Sequence, residues 1–277
     1  MRLYLRTETR AILTPPGGQL LCLHHEASVP GPLARYVERL RWGADEFPEE
    51  LVERVLPDGA VHLIFDLGDG GGTSAVGASA APQTIRLAGH LEQVSVQLRP
   101  GGIAAVLGVP AAALRGRDVP LAELWGDEAE HLRERLARAP LRQRGAVVAR
   151  ALAERLARSD AAIERRASAA VRLVLARHGN VRVREIAEAI GASERRLEQV
   201  FQREVGMTPK LMCRVTRFRH AVDVRCADHG RSWSELAAAC GYADQAHLVH
   251  EFQELAGATP GTLAGFGFFQ ESAPVAG

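Results

Sequence analysis

The apolar positions of this 277-residue chain change period part-way along. Up to about residue 125 they fall in short runs bounded by turn residues. Val61–Leu67 (VHLIFDL) is the strongest run, set between Pro57-Asp58-Gly59 and Gly68–Gly72. Thr84–Leu87 and Val94–Leu98 alternate polar and apolar residues, Gln19–His24 is short and apolar-rich, and Pro100-Gly101-Gly102 closes the last run. Period-two alternation punctuated by glycine and proline predicts strands. One stretch departs from that rhythm. Leu33, Tyr36, Val37 and Leu40 are spaced by three, one and three, which predicts an amphipathic helix over Pro32–Trp42.

After Trp125 the spacing lengthens to that of helices. Asp127–Ala139 and Leu141–Arg158 are rich in Ala, Leu, Arg and Glu and meet at Pro140, which predicts a helical hairpin. A further helix over residues 161–178 ends at Gly179-Asn180, a helix-stop pair. Then the chain nearly repeats itself. Residues 184–209 read REIAEAIGASERRLEQVFQREVGMTP and residues 234–260 read SELAAACGYADQAHLVHEFQELAGATP. Glu185, Ile186, Ala187, Ile190 and Gly191 recur as Glu235, Leu236, Ala237, Cys240 and Gly241; Leu197, Phe201, Gly206, Thr208 and Pro209 recur as Leu248, Phe252, Gly257, Thr259 and Pro260. The second set is displaced by one extra residue, which falls in the turn. Two copies of a helix-turn-helix unit account for this. Between them Leu211, Val215, Phe218, Val222 and Cys226 recur at helical spacing, so Lys210–Ala227 is a linker helix. The predicted fold is α+β: a mainly antiparallel β domain with helices, then an all-α domain holding two helix-turn-helix motifs.

A helix-turn-helix is a device for reading DNA with the outer face of its second helix. In the first copy Ser193 caps that helix, Leu197, Val200, Phe201 and Val205 face inward, and Glu194, Arg195, Glu198, Gln199 and Gln202 face outward, with Arg196 and Arg203 at the margin. Arg pairs with guanine and Gln with adenine through two hydrogen bonds each. In the second copy Leu248 and Phe252 face inward and Gln245, Ala246, His247, Val249, His250 and Glu251 outward. This face carries little positive charge and is expected to add less affinity. Ser193, Arg203, Lys210 and Arg214 are candidates for phosphate contacts, with Arg217 and Arg219 on the same linker helix.

The segment from about Ala170 to Leu263 resembles the DNA-binding region of the AraC/XylS family of bacterial transcriptional regulators. The resemblance lies in IAEAIGASERRLEQVFQREVGMTP, in RFRHAV on the linker, and in LAAACGYADQAHLVHEFQELAGATP. It implies sequence-specific binding to double-stranded DNA and a role in transcription with a lean towards activation, with RNA polymerase as a partner; the cysteine spacings separately point to a reduced, cytoplasmic setting. It points to Arg195, Glu198 and Gln199 in the first reading helix and to Gln245, Ala246, His247 and His250 in the second. Members of the family often carry Arg at the positions of Gln199 and His250, Ser or Gln at Ala246, and Phe at Leu248. PGPLARYVERLRW, LPDGAVHLIFDLG and VQLRPGGIAAVLGVP resemble the sensor-like domain of one AraC-type subgroup. That implies a regulatory domain open to an unidentified small-molecule effector. The expected organisation is a regulatory domain over 1–125, a helical connector or homodimerisation segment over 126–160, a DNA-binding domain over 161–265 and a loose tail over 266–277.

Composition narrows the alternatives. Net charge is +1, so charge as a whole points neither towards nor away from nucleic acid. Lys210 is the only lysine, and no phosphate-binding G-x-x-x-x-G-K-[ST] loop exists. Cys22, Cys213, Cys226 and Cys240 form no C-x-x-C pair. The start, MRLYLRTETR, is too charged for a signal peptide, and no apolar stretch is long enough to cross a membrane. His24, His25 and His62, and His247-x-x-His250, are metal readings weaker than packing or DNA contact. Gly68–Gly72 reads as a hairpin loop rather than a phosphate cradle, and Gly77–Ala81 lacks the last glycine of a hydrolase elbow. No catalytic residues, metal site or cofactor are expected. The competing reading is a β-domain small-molecule-binding protein or enzyme with a degenerate DNA-binding appendage.

Overall fold

The computed structural model describes residues 4–6, 25–29, 31–69, 71–158, 164–228, 230–261 and 268–269. Its strands are β1 (Tyr4–Arg6), β2 (His25–Ala27), β3 (Val37–Val55), β4 (Val61–Asp66), β5 (Thr73–Val76), β6 (Gln83–Leu98), β7 (Asp118–Pro120) and β8 (Phe268–Phe269). They form one sheet in the order β7-β5-β4-β6-β3-β1-β8, with β2 on the near end of β3, and every pairing is antiparallel. The two alternating runs at Thr84–Leu87 and Val94–Leu98 are two ends of the single strand β6, which pairs along most of β3. Val61, Leu63 and Phe65 of β4 and Val94, Val96 and Leu98 of β6 are buried side by side. The expected strand at Gln19–His24 lies outside the described residues, as do His24 and Cys22.

The helix expected over Pro32–Trp42 is not there. Gly31–Arg35 makes a short 3-10 turn and the chain then runs extended as β3. The misleading spacing has a physical origin. The register between β3 and β6 shifts between Val37 and Arg39, so Glu38 is an extra residue in the strand. A bulge changes which parity faces the core. Val37 and Leu40 can then both be buried, three apart, as on a helix.

Helices α1 (Ile103–Leu107), α2 (Ala122–Trp125), α3 (Asp127–Arg138) and α4 (Arg144–Ala157) follow the long strands. Leu132 and Leu136 of α3 and Val148 and Leu152 of α4 join the core of the sheet, so the helical hairpin packs on the β domain. The rest is α5 (Arg165–Ala176), α6 (Val183–Ala189), α7 (Glu194–Glu204), α8 (Pro209–Ala227), α9 (Trp233–Ala239) and α10 (Gln245–Ala256). The expected start of α5 at residues 161–163 lies outside the described residues. In the tail, Phe268 and Phe269 pair with β1. Among the described residues no helix is long and apolar enough to cross a membrane.

The repeat is a repeat of structure. Ala192 N donates to Ala187 O and Tyr242 N to Ala237 O, each at 2.9 Å. Gly191 and Gly241 both take the left-handed backbone, at φ 62° and 75°, where only glycine is free of strain. The two units sit in different cores. Ile186, Leu197, Phe201, Val205 and Met207 of the first belong to the core of the β domain. Leu236, Cys240, Leu248 and Phe252 of the second form their own core with Val215 and Phe218 of α8, and Leu56 of the β domain is part of it.

Candidate nucleic-acid interface

Helix α7 starts where Ser193 Oγ accepts the backbone N–H of Arg196 at 3.2 Å, so one of the free donors of the first turn is satisfied locally. Leu197, Val200 and Phe201 are buried, while Glu194, Arg195, Arg196, Glu198, Gln199 and Arg203 are exposed and Gln202 is half-buried. The outward face expected from the sequence is therefore the exposed one. Arg196 is drawn sideways: it lies 3.6 Å from Glu164, the cap of α5, and Nη1 donates to Gln199 Oε1 at 3.5 Å. Arg195 has no ion-pair partner among the described residues and is the free guanidinium of this face. Arg203 lies 3.3 Å from Glu204. Thr208 caps α8 by accepting from Leu211 N at 3.2 Å, and Lys210 is exposed in the first turn of α8.

Helix α10 is capped by Asp244, whose Oδ1 accepts His247 N at 2.7 Å. Gln245, Ala246, His250 and Gln253 are exposed; His247 and Val249 are half-buried. His247 Nδ1 accepts from Ala243 N at 3.3 Å and its ring meets Tyr242 edge-on at 5.2 Å. With Nδ1 accepting, a neutral ring keeps its proton on Nε2, the atom left to donate. His250 lies 3.6 Å from Glu254.

Two expectations change here. Glu251 does not face outward: it is buried, 2.5 Å from Arg214 Nε and 3.9 Å from Arg217. Arg214, placed among the phosphate contacts, is turned to the same cluster and also pairs with Glu254. Its hydrogen bond holds the exposed Glu254 carboxyl below the usual range. Arg214 thus ties α8 to α10 from behind the reading face. The repeat already contained this signal, because Glu251 aligns with the inward-facing Val200. Arg217 packs over Tyr242 at 5.0 Å, and Arg219 reaches the Asp58 carbonyl at 3.5 Å; both serve packing.

The aligned positions explain the unequal faces. Where the first copy has Arg195, Arg196 and Arg203, the second has Ala246, His247 and Glu254. Every exposed arginine of the first reading helix is lost.

Other candidate sites do not assemble. His25 stacks on Trp42 at 5.6 Å, and His62 Nε2 pairs with half-buried Asp58 at 2.8 Å. No group of three or more ligating side chains occurs among the described residues. Burial pushes the Cys213 thiol up to about 11, which keeps it protonated and unreactive; the Cys226 side chain lies outside the described residues. Gly68–Gly72 joins β4 to β5 with no helix start to hold a phosphate, Gly70 being outside the described residues. What sequence reasoning missed is Glu204, 2% exposed and pressed against α1. Its signal was a charge at the repeat position of Leu255.

Two helix-turn-helix units on one linker helix, each turning outward the polar face of its second helix, define a DNA-binding transcriptional regulator. Residues 186–265 match the helix-turn-helix domain family. Residues 26–120 match a domain of unknown function (DUF6597). Among curated proteins none matches the chain. Among solved structures, ToxT from Vibrio cholerae O395 aligns over 95% of this chain and 96% of its own, at 8% identity and TM-score 0.40. ToxT from Vibrio cholerae strain SCE256 bound to an unsaturated fatty acid aligns over 95% and 94%, at 7% identity and TM-score 0.35.

Proposed function

We propose that the chain is a sequence-specific regulator of bacterial genes whose first motif supplies most of the specific contacts. The observation that carries this reading is the exposed Arg195, without an ion-pair partner among the described residues, beside Gln199 on a capped helix held by buried Leu197, Val200 and Phe201. Arg195 is suited to guanine, Gln199 to adenine, and Arg196 to a phosphate or base beside them. Glu198 can accept from a cytosine amino group. Ser193, Arg203 and Lys210 are left for phosphate. Gln245, Ala246, His247 and His250 contribute a weaker second reading surface. Helix α8 has 19 residues, which at about 1.5 Å per residue is about 28 Å. That length suits two reading helices entering successive major grooves, about 34 Å apart on one side of a duplex.

The β domain is the regulatory part, and its shared core with the first motif supports a route from effector or partner to DNA. RNA polymerase is the expected partner for activation, and a homodimer is a further expectation. Selection of bound fragments from the native genome tests the reading. A recurrent motif with a strong half and a weak half is expected. Recovery of fragments without any common sequence would favour the β-domain binding protein or enzyme with a vestigial appendage.

A further inference from the structure

The reading face of α7 does not stand alone. Arg195, Glu198, Gln199, Gln202, Arg203 and Thr208 line a cleft of about 570 Å³ whose other wall is Pro110 and Ala112 of the β domain. A turn of the regulatory domain therefore borders the surface that meets DNA.

That turn is clamped from both sides. On the α7 side, Gly206 packs against Ala111 so closely that a Cβ there would lie 2.9 Å from the Ala111 carbonyl oxygen. On the sheet side, a Cβ on Gly77 would lie 1.7 Å from the Leu114 carbonyl oxygen, Gly77 N donates to Arg117 O at 2.9 Å, and Gly116 N donates to Ala78 O at 3.0 Å. Residues 111–114 form a 3-10 turn, and Arg115 N bonds back to Ala112 O. Ala112 lines the cleft, and Arg115 ends the same turn three residues further on. Arg115 and Arg117 are both exposed, and neither has an acidic partner among the described residues. Arg117 Nη1 donates to the Ala113 carbonyl at 3.3 Å, which holds its guanidinium over the turn. Asp118 follows Arg117 in sequence, and Glu198 lines the cleft.

A helix in a major groove about 12 Å wide has a phosphate backbone on each side. On the DNA-reading assignment one backbone would flank the end of α7 where Arg203, Thr208 and Lys210 lie, and the turn meets that end where Gly206 packs on Ala111. From this placement we infer that the regulatory domain itself touches DNA: Arg115 and Arg117 meet the phosphates flanking the first motif's site. The inference rests on the DNA-reading assignment of α7. It makes the β domain part of the DNA interface, so any change in its position relative to α7 alters affinity directly.

The test uses the full chain and the duplex recovered by fragment selection, with affinity measured against salt concentration. Each phosphate contact contributes about 0.9 to the slope of log K against log salt. Arg115→Ala/Arg117→Ala is expected to flatten the slope by about 0.9 to 1.8, with base preference unchanged, and Arg115→Lys/Arg117→Lys to restore it. An unchanged slope, or tighter binding by the alanine variant, overturns the inference; tighter binding would make the turn an obstacle to the duplex. Arg195→Ala is the companion. If it relaxes base preference while the double variant behaves as wild type, only the present inference fails. If the wild-type chain selects no site, the DNA-reading assignment fails with it.

Discussion

Glu204 is a carboxylate in a leucine's place. It aligns with Leu255 of the second copy, is 2% exposed, and its Oε2 has no hydrogen-bond partner. Burial raises its pKa above the ordinary 4.5, outweighing the lowering by the Ala104 backbone N–H and by Arg203. An acid whose pKa is raised on folding holds its proton more tightly in the folded state. The associated stability is complete below the ordinary carboxylate range and is lost as pH rises through the folded value. Glu204→Gln, neutral throughout, is therefore expected to exceed wild type in stability near pH 7 and to lose that advantage as pH falls to about 4. Urea denaturation across that range checks it; a difference independent of pH would mean the carboxyl ionises as freely as in water. On the reading face, Arg195→Ala is expected to weaken specific binding by about 1–3 kcal/mol and to relax selection at one base position. A titration with unchanged affinity and selectivity would remove Arg195 from the readout.

At the scale of elements, the two helix pairs differ in what holds the second helix. In the first, Val200 fills an inward position; in the second, Glu251 fills it and must be paired. Breaking a fully buried pair costs about 3–5 kcal/mol because a charge is left stranded. Arg214 is 28% exposed and Arg217 remains near Glu251, so Arg214→Ala is expected to destabilise by less, on the order of 2 kcal/mol. Its salt dependence of DNA binding should match wild type. A flatter slope with unchanged stability would return Arg214 to the phosphate contacts. This pair also shows what a sequence can reveal. The repeat made both helix pairs, the Ser193 cap and the α7 face legible, because apolar spacing and turn glycines report local structure directly. It equally marked Glu251 as inward, since an aligned position inherits its neighbour's environment. The bulge at Glu38 was hidden, because one unpaired residue in a strand reproduces helical spacing. Its partner register, Val37 with Leu98 and Arg39 with Gln97, joins residues about sixty apart and leaves no local trace.

At the scale of the molecule, the β domain and the helical domain interlock through the turn between β3 and β4. Leu56 is 1% exposed within the core of the second helix pair. Gly59 takes φ 69° and approaches Met212 so closely that a Cβ would lie 3.1 Å from its sulfur, and Arg219 reaches the Asp58 carbonyl. In the sequence Pro57-Asp58-Gly59 reads only as a turn, since its partners lie some 150 residues away. Yet this turn and the face joining α7 to Ala111 place each helix pair against a different part of one domain. A rigid body that grips both units fixes the distance between their reading helices, which a single α8 could not do alone. The coupling can be read in unfolding. A chain held this way should unfold in one transition seen alike by far-UV and near-UV dichroism. Leu56→Ala leaves a cavity in the second core and is expected to lower stability by about 2–5 kcal/mol. Because the first pair keeps its own core with the sheet, the second should then melt first, separating the two signals. If they stay superimposed and the loss is below about 1 kcal/mol, Leu56 is a bystander, and the β domain holds the linker helix α8 through Met212 and Arg219 instead.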